Sequence, residues 1–179
     1  MISAQDRHYL ARCVELARQA LAQGDEPFGS LLLSADGQVL FEDRNHVAGG
    51  DHTRHPEFEI ARWAAANLTP AQRAASTVYT SGEHCAMCAA AHGWVGLGRI
   101  VYASSTPQLS AWMQELGFPA PRVKALRITD VITDTPVDGP DAELAEQVGA
   151  LHRARQRPAG AGSALSLIHI SEPTRQEAI

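Results

Sequence analysis

The amino-acid sequence predicts one α/β domain, a three-layer α/β/α sandwich around a mixed, mostly parallel sheet of five strands. The chain of 179 residues is 45% hydrophobic and 20% charged, which is typical of a single globular domain that needs no disulfide bond. Its apolar residues recur with the periods of helices and strands in the order α-β-β-α-β-α-β-α-β-α. An opening hairpin followed by strand–helix repeats favours a sheet with helices on both faces.

The first half of the chain predicts a helix, a hairpin and a second helix. Residues 4–23 carry apolar side chains at helical spacing, and Gly24 follows as a stop signal. Two apolar runs flank Asp36-Gly37, a strong turn signal, which predicts a β-hairpin in GSLLLSADGQVLFED. The polar stretch NHVAGGDHTR predicts a loop, and PEFEIARWAAANL predicts the second helix.

The second half predicts alternating strands and helices. The predicted strands are STVYTS, RIVYAS and KALRITDVI, and the predicted helices are CAMCAAAHGWVGLG, TPQLSAWMQELG and DGPDAELAEQVGALHRAR. We expect the domain to span residues 1–157. Residues 158–179 are expected to be a flexible or artefactual tail, because residues 165–179 resemble a translated sequencing adapter.

Charge and cysteine content narrow the class of protein. The net charge of −5 argues against a nucleic-acid partner, and the basic run HRARQR, residues 152–157, is more typical of the last turn of a helix. No apolar run approaches the ~18 residues of a membrane span, and no signal peptide is evident. The three cysteines, Cys13, Cys85 and Cys88, fit a reducing compartment. These features predict a cytoplasmic protein with no membrane partner.

The start of the second predicted helix, TRHPEFEIARW, combines His55, Pro56 and Glu57. A carboxylate in the first turn most often complements the helix dipole, and proline is tolerated at the first helical position. The alternative is that His55 is a metal ligand and Glu57 a base beside it. That alternative requires further ligands elsewhere in the chain.

The further ligands are predicted in the sequence GEHCAMC. Cys85 and Cys88 lie three residues apart at a helix N-terminus, so both sulfurs share one face, where the dipole lowers the pKa of thiols. A Cys-x-x-Cys pair can also be a redox pair or two buried small residues, but a redox pair usually follows the first strand, and this pair follows the third predicted strand. With His55 the ligands number three, and the open fourth position is typical of catalytic zinc. Such zinc lowers the pKa of its bound water to about 7, and Glu57 can transfer the proton.

Two other histidines compete with this interpretation. His52 or His92 could be a fourth ligand, which would make the site a closed, structural zinc site. A solvated His52 and a packed or pocket-lining His92 fit the open site better. Cys13 lies on an apolar stripe and is expected to be a core residue.

The pattern His55-Pro56-Glu57 with Cys85-Ala86-Met87-Cys88 resembles the H-x-E and P-C-x-x-C signature of the zinc-dependent cytidine and deoxycytidylate deaminase superfamily. The resemblance covers about residues 5–155. Its EPFGS, RNH and YTSGEHCAMC segments are most similar to the guanine deaminase and tRNA adenosine deaminase branch, with its s-triazine relatives. It implies a cytidine deaminase-like fold, Zn²⁺ as the cofactor and Glu57 as the proton shuttle.

The resemblance also implies contacts with a substrate. Asn45 would hydrogen-bond the base ring, Phe28 would line the pocket, and Ser30 would offer its backbone amide. Glu83 would be an acid close to the metal ligands, and Trp94 a pocket aromatic as in guanine deaminases.

The sequence departs from the family pattern at Pro56, at His84 before the first cysteine, and at Ala86 between the cysteines. His84 can donate or accept a hydrogen bond where proline cannot, which suggests a substrate-binding role and a substrate other than guanine. We expect a hydrolytic deaminase of a small free base or base-like heterocycle (a cytosine analogue, an amino-s-triazine or guanine) that releases ammonia and forms a homodimer. The alternatives are a tRNA adenosine deaminase and a non-enzymatic zinc-binding module.

Overall fold

The computed structural model describes residues 1–155, so the predicted tail of residues 158–179 lies outside the described residues. Its helices are α1 (Ala4–Ala22), α2 (Pro56–Asn67), α3 (Pro70–Ala74), α4 (Ala86–Val95), α5 (Thr106–Glu115) and α6 (Ala142–Ala154). Its strands are β1 (Gly29–Leu33), β2 (Val39–Arg44), β3 (Thr77–Gly82), β4 (Arg99–Ser104) and β5 (Val137–Asp138). Within this part of the chain, no helix is both long enough and apolar enough to span a membrane.

The five strands form one mixed sheet in the order β2-β1-β3-β4-β5, which confirms the predicted sheet. Strand β1 is antiparallel to both of its neighbours, whereas β3 and β4, and then β4 and β5, are parallel. Four strands therefore point in one direction and β1 in the other. Because β3 and β4 are parallel, their carboxyl ends lie together, with Gly82 beside Ser104.

Helices cover both faces of this sheet, so the three-layer prediction is also confirmed. Leu31 and Leu33 of β1 pack in a buried cluster with residues of α1 and α6, and Cys13 lies in this cluster with no exposed surface. Leu32, between them in sequence, packs on the opposite face against residues of α2. This alternation follows from the two-residue period of strand side chains.

The prediction of a strand in KALRITDVI is wrong. This stretch contains a 3-10 turn, Ile128–Asp130, and the fifth strand lies further on at Val137–Asp138. The apolar residues Ile128 and Ile132 of this stretch are instead buried in a cluster with Ile100. This short apolar run indicates that its residues are buried, but periodicity alone cannot distinguish a buried turn from a paired strand.

Helix α3 was not predicted, although its start carries a recognisable signal. Thr69 accepts a hydrogen bond from the backbone N–H of Gln72, and the Gln72 side chain accepts one from the N–H of Thr69. This reciprocal pair is a capping box, and Pro70 occupies the first helical position.

Candidate active site

His55 stands at the N-terminal end of α2, where it is the capping residue in extended conformation. Its imidazole makes no capping hydrogen bond to the helix, so the ring is available for another contact. Pro56 follows as the first helical residue, a position that needs no backbone N–H partner. His55 thus occupies the N-cap position of the helix without using its side chain for capping.

Cys85 and Cys88 stand in the same way at the start of α4, which follows β3. The two sulfur atoms each lie 3.6 Å from Nδ1 of His55. Tetrahedral zinc with Zn–S of about 2.3 Å and Zn–N of about 2.0–2.1 Å would separate sulfur from nitrogen by about 3.5 Å. The three side chains therefore fit a zinc ion. Among residues 1–155, they are the group whose potential ligand atoms lie within 4.8 Å of one another.

The electrostatics of the three ligands favour an anionic sulfur. A hydrogen bond from Cys88 lowers the pKa of Cys85 to about 4, assisted by His55. Burial favours the neutral form of His55, but the hydrogen bond with Cys85 and the negative charges of Glu57, Cys85 and Glu26 together outweigh it and raise the pKa of the imidazole to about 9. The Cys85 hydrogen bond and burial raise the pKa of Cys88. Both shifts favour a thiolate at Cys85 beside a protonated imidazole at His55.

Glu57 lies in the first turn of α2 and is only 6% exposed. Its Oε1 accepts hydrogen bonds from Ser30 Oγ of β1 and Thr80 Oγ1 of β3, each at 2.8 Å. Burial raises the pKa of this carboxyl group, and the nearby His55 together with the two hydroxyl groups opposes the rise. Glu57 is thus a buried acid–base group held from beneath by the sheet.

A cavity of about 610 Å³ opens beside these residues. His55, Glu57 and Cys85 line it, and so do the predicted contacts Phe28 and Glu83. Much of the remaining lining is apolar, from Met87, Leu109, Met113, Phe118, Pro119, Pro121, Val123, Ala125 and Leu126.

The other predicted substrate contacts do not line this cavity. Ser30 is fully buried and its hydroxyl contacts Glu57 and Thr80. Asn45 is also fully buried; its Oδ1 accepts a hydrogen bond from the N–H of Val47, and its Nδ2 has no partner among residues 1–155. In the described chain, Trp94 does not reach the cavity because it lies on the solvent side of α4 with 89% exposure.

His84 and His92 form a buried pair behind the cysteines. His84 is 1% exposed, burial lowers its pKa, and neither of its nitrogens has a partner within the described chain. Its ring meets the ring of His92 edge-on at 5.5 Å. Nε2 of His92 lies 2.8 Å from the carbonyl oxygen of Gly98, to which it donates, so His92 is not a fourth ligand here. The exposed His52 lines the cavity but lies outside the ligand group.

Sequence reasoning missed the residues of α6 that reach the cavity. His152 and Arg155 line it, although the basic run that contains them was interpreted as decoration of a helix end. His152 is 1% exposed and packs edge-on against Phe28, at 5.1 Å between ring centroids. Arg155 pairs with Glu26 at 2.7 Å and lies over the ring of Phe118. These residues reach the site because α6 packs against the sheet, a tertiary contact that the sequence pattern does not reveal.

Comparisons with known proteins agree with this geometry. Residues 3–104 match the family described as the cytidine and deoxycytidylate deaminase zinc-binding region. A probable cytosine deaminase of Schizosaccharomyces pombe is 32% identical over 118 residues, 65% of this chain and 70% of that protein. A tRNA-specific adenosine deaminase of Agrobacterium fabrum is 28% identical over 106 residues, 59% and 69% of the two chains. The solved structure of a guanine deaminase from Nitrosomonas europaea shares the fold, with a TM-score of 0.63 at 20% identity over 87% of this chain and 85% of that one.

Proposed function

This chain belongs to the cytidine and deoxycytidylate deaminase zinc-binding family, and from that premise we propose that it hydrolytically deaminates a small free nucleobase or base-like heterocycle. The substrate class is a cytosine analogue, an amino-s-triazine or guanine, and ammonia is the second product. One observation carries the proposal. Three zinc-compatible ligands and the buried carboxyl group of Glu57 line or adjoin one cavity.

The roles of the residues follow from their positions. His55, Cys85 and Cys88 would hold zinc, which in a three-ligand site supplies hydroxide at neutral pH by lowering the pKa of water to about 7. Glu57 would take the first proton of the attacking water and deliver it to the ring nitrogen, and would then take the second proton of that water and deliver it to the leaving amine. The hydroxyl groups of Ser30 and Thr80 would fix the carboxyl group during both transfers.

The shape and polarity of the cavity support a small heterocycle. Its volume of about 610 Å³ lies within the usual range of about 300–1,000 Å³ for sites that bind small molecules. Phe28, Met87, Leu109 and Met113 offer apolar surfaces on which a flat ring can stack. Two of the charged lining residues, Arg155 and Glu26, neutralise each other in an ion pair.

A tRNA adenosine deaminase remains the second candidate, because one relative of this kind is 28% identical. The same chemistry on tRNA requires a basic surface that follows the phosphates. The net charge of −5 favours the free base instead. A non-enzymatic zinc module would need a fourth ligand, and none joins the group of three in residues 1–155.

The test is ammonia release by the zinc-loaded protein from guanine, cytosine, azacytosine, ammeline, adenosine and a tRNA stem-loop. We expect turnover of at least one free ring and none of the stem-loop. Glu57→Gln should lose about 10²–10⁴-fold in rate while keeping its zinc, the scale of general acid–base catalysis. Full activity of Glu57→Gln on every substrate would refute a deaminase mechanism, and turnover of the stem-loop alone would favour the second candidate.

We further propose that the protein is a homodimer, as the family resemblance implies. Light scattering at micromolar concentration should give twice the mass of one chain. A monomeric mass would contradict this proposal without affecting the chemistry.

A further inference from the structure

One continuous segment forms a large part of the cavity wall. Half of the lining residues belong to the stretch from Thr106 to Leu126, which comprises α5 and the irregular chain after it. Trp112 anchors α5 in the core at 7% exposure. Residues 119–125, in contrast, are all exposed. The position of this wall therefore depends on how its two ends are held.

A single carboxylate holds both ends. Oε2 of Glu83 accepts a hydrogen bond from the backbone N–H of Thr106 at 2.7 Å, and Oε1 accepts one from the backbone N–H of Ile128 at 3.0 Å. Thr106 is the first residue of α5, and Ile128 is the first residue of the 3-10 turn that follows the wall. Both N–H groups are helix-terminal donors without partners inside their own helices, so an anion is a favourable acceptor for them.

Glu83 is itself fixed in relation to the zinc ligands. It lies two residues before Cys85, and its backbone N–H donates to the carbonyl oxygen of Ser104 at the end of β4 at 2.8 Å. The carboxylate is thus attached to the end of the sheet that also presents the cysteine helix. A movement of its two hydrogen-bonded partners would change the distance between the wall and the ligands.

We infer that Glu83 is a positioning residue that sets the separation of the wall (residues 106–126) from the zinc ligands, and so determines which ring the cavity binds. This inference rests on the proposed deaminase function. Glu83 acts through the two backbone amides and not on the reacting atoms. Its loss should therefore weaken binding of the substrate more than it slows chemistry.

The first variant is Glu83→Gln, in which only one side-chain oxygen remains to accept a hydrogen bond. For the best free base from the ammonia-release screen, KM should rise about tenfold, the scale of one lost hydrogen bond to a charged group. The kcat and zinc content should stay near the wild-type values. Amide exchange at Thr106 or Ile128 should become faster. Glu146→Gln is the control, because it removes the same charge from an exposed position on α6.

The second variant, Thr106→Pro, removes the backbone donor and leaves the Glu83 side chain intact. Proline suits this position because Thr106 is the first helical residue and Ser105 before it is extended. Thr106→Pro should raise KM in the same way. The change in log KM of the double variant Glu83→Gln/Thr106→Pro should not exceed the sum of the changes in the two single variants.

Two results would overturn the inference. One is a large loss of kcat in Glu83→Gln with no effect of Thr106→Pro, because Glu83 would then contact the substrate directly. The other is unchanged KM and unchanged amide exchange in both variants. Amide exchange is measured without substrate, so it tests the inference even if the wild-type protein releases ammonia from none of the bases, which would count against the proposed function alone.

Discussion

Ser30 and Thr80 face each other across the β1–β3 pair, and both of their hydroxyl groups donate to the same oxygen of Glu57. The two residues also contact one another, at 2.9 Å between Oγ and Oγ1. Two strands that lie fifty positions apart in sequence therefore support one carboxyl group. Glu57, the proposed acid–base residue, is carried by a helix, but the sheet fixes its orientation.

This support predicts an effect of removing a hydroxyl group. Thr80→Val keeps the volume of the side chain but removes one donor to Glu57, and we expect kcat to fall about tenfold, since a hydrogen bond to a charged group contributes about 1.5–3 kcal/mol. Thr80→Ser keeps the hydroxyl group and should retain most of the activity. Steady-state kinetics of the two variants checks this, and equal losses of kcat in both would contradict the role given to the hydroxyl group.

The ionisation of the ligands predicts proton release when zinc binds. At pH 7 the metal-free site holds a proton on His55, whose pKa is about 9, and one on Cys88, whose pKa is raised, whereas Cys85 with a pKa of about 4 is already a thiolate. Zinc requires neutral imidazole and thiolates, so about two protons should leave per ion bound. Calorimetry of chelator-treated protein in buffers of different ionisation enthalpy measures this number. Release of no proton would contradict the two protons assigned to the His55, Cys85 and Cys88 group before zinc binds.

The buried His152 predicts loss of stability in acid. Burial, with a smaller contribution from the Arg155 charge, lowers the pKa of His152 from 6.5 to about 3. The unfolded chain therefore takes up a proton before the folded protein does, so stability is constant above about pH 6.5 and falls as the pH drops towards 3. Between pH 7 and pH 5 this group should remove about 2 kcal/mol from the free energy of unfolding.

Urea titrations at pH 7 and pH 5 measure that loss. His152→Leu should show a smaller drop than the wild-type protein, because it lacks the titrating group. His8→Gln, which changes an exposed histidine on α1, serves as the control and should behave like wild type. An equal drop in His152→Leu and wild type would mean that other groups account for the acid sensitivity.

Close packing at the start of β1 predicts a strong effect of a single methyl group. A Cβ on Gly29 would lie 2.6 Å from the carbonyl oxygen of Cys13 and 2.7 Å from the backbone nitrogen of Ala17. Both are backbone atoms of α1, so the helix itself would have to move. We expect Gly29→Ala to lower the free energy of unfolding by about 1–3 kcal/mol. Gly49→Ala is the matched control, because a Cβ there meets no atom within 4 Å; similar denaturation midpoints for both variants would refute the packing argument.

The sequence by itself determined the local parts of the site. HPE and CAMC each begin a helix, as predicted, because proline at the first helical position and a donor-rich helix terminus act within a few residues. The hairpin turn and the apolar periods of α1, α2 and α6 also depend only on neighbouring residues, and the sequence predicted these elements. The ligand types of His55, Cys85 and Cys88 indicated zinc, the resemblance to the family implied it again, and the geometry of the three residues fits it.

Only the tertiary structure decided which distant residues surround those local parts. It gave Glu57 the support of Thr80, brought His152 and Arg155 into the cavity wall, and left Trp94 facing solvent in the described chain. It also showed that KALRITDVI contains a turn and no paired strand, and that its isoleucines are buried by packing in a hydrophobic cluster. The physical reason is the same in each case. Contacts between residues that are far apart in sequence depend on how whole elements pack, and the period of a short segment carries no information about its partners.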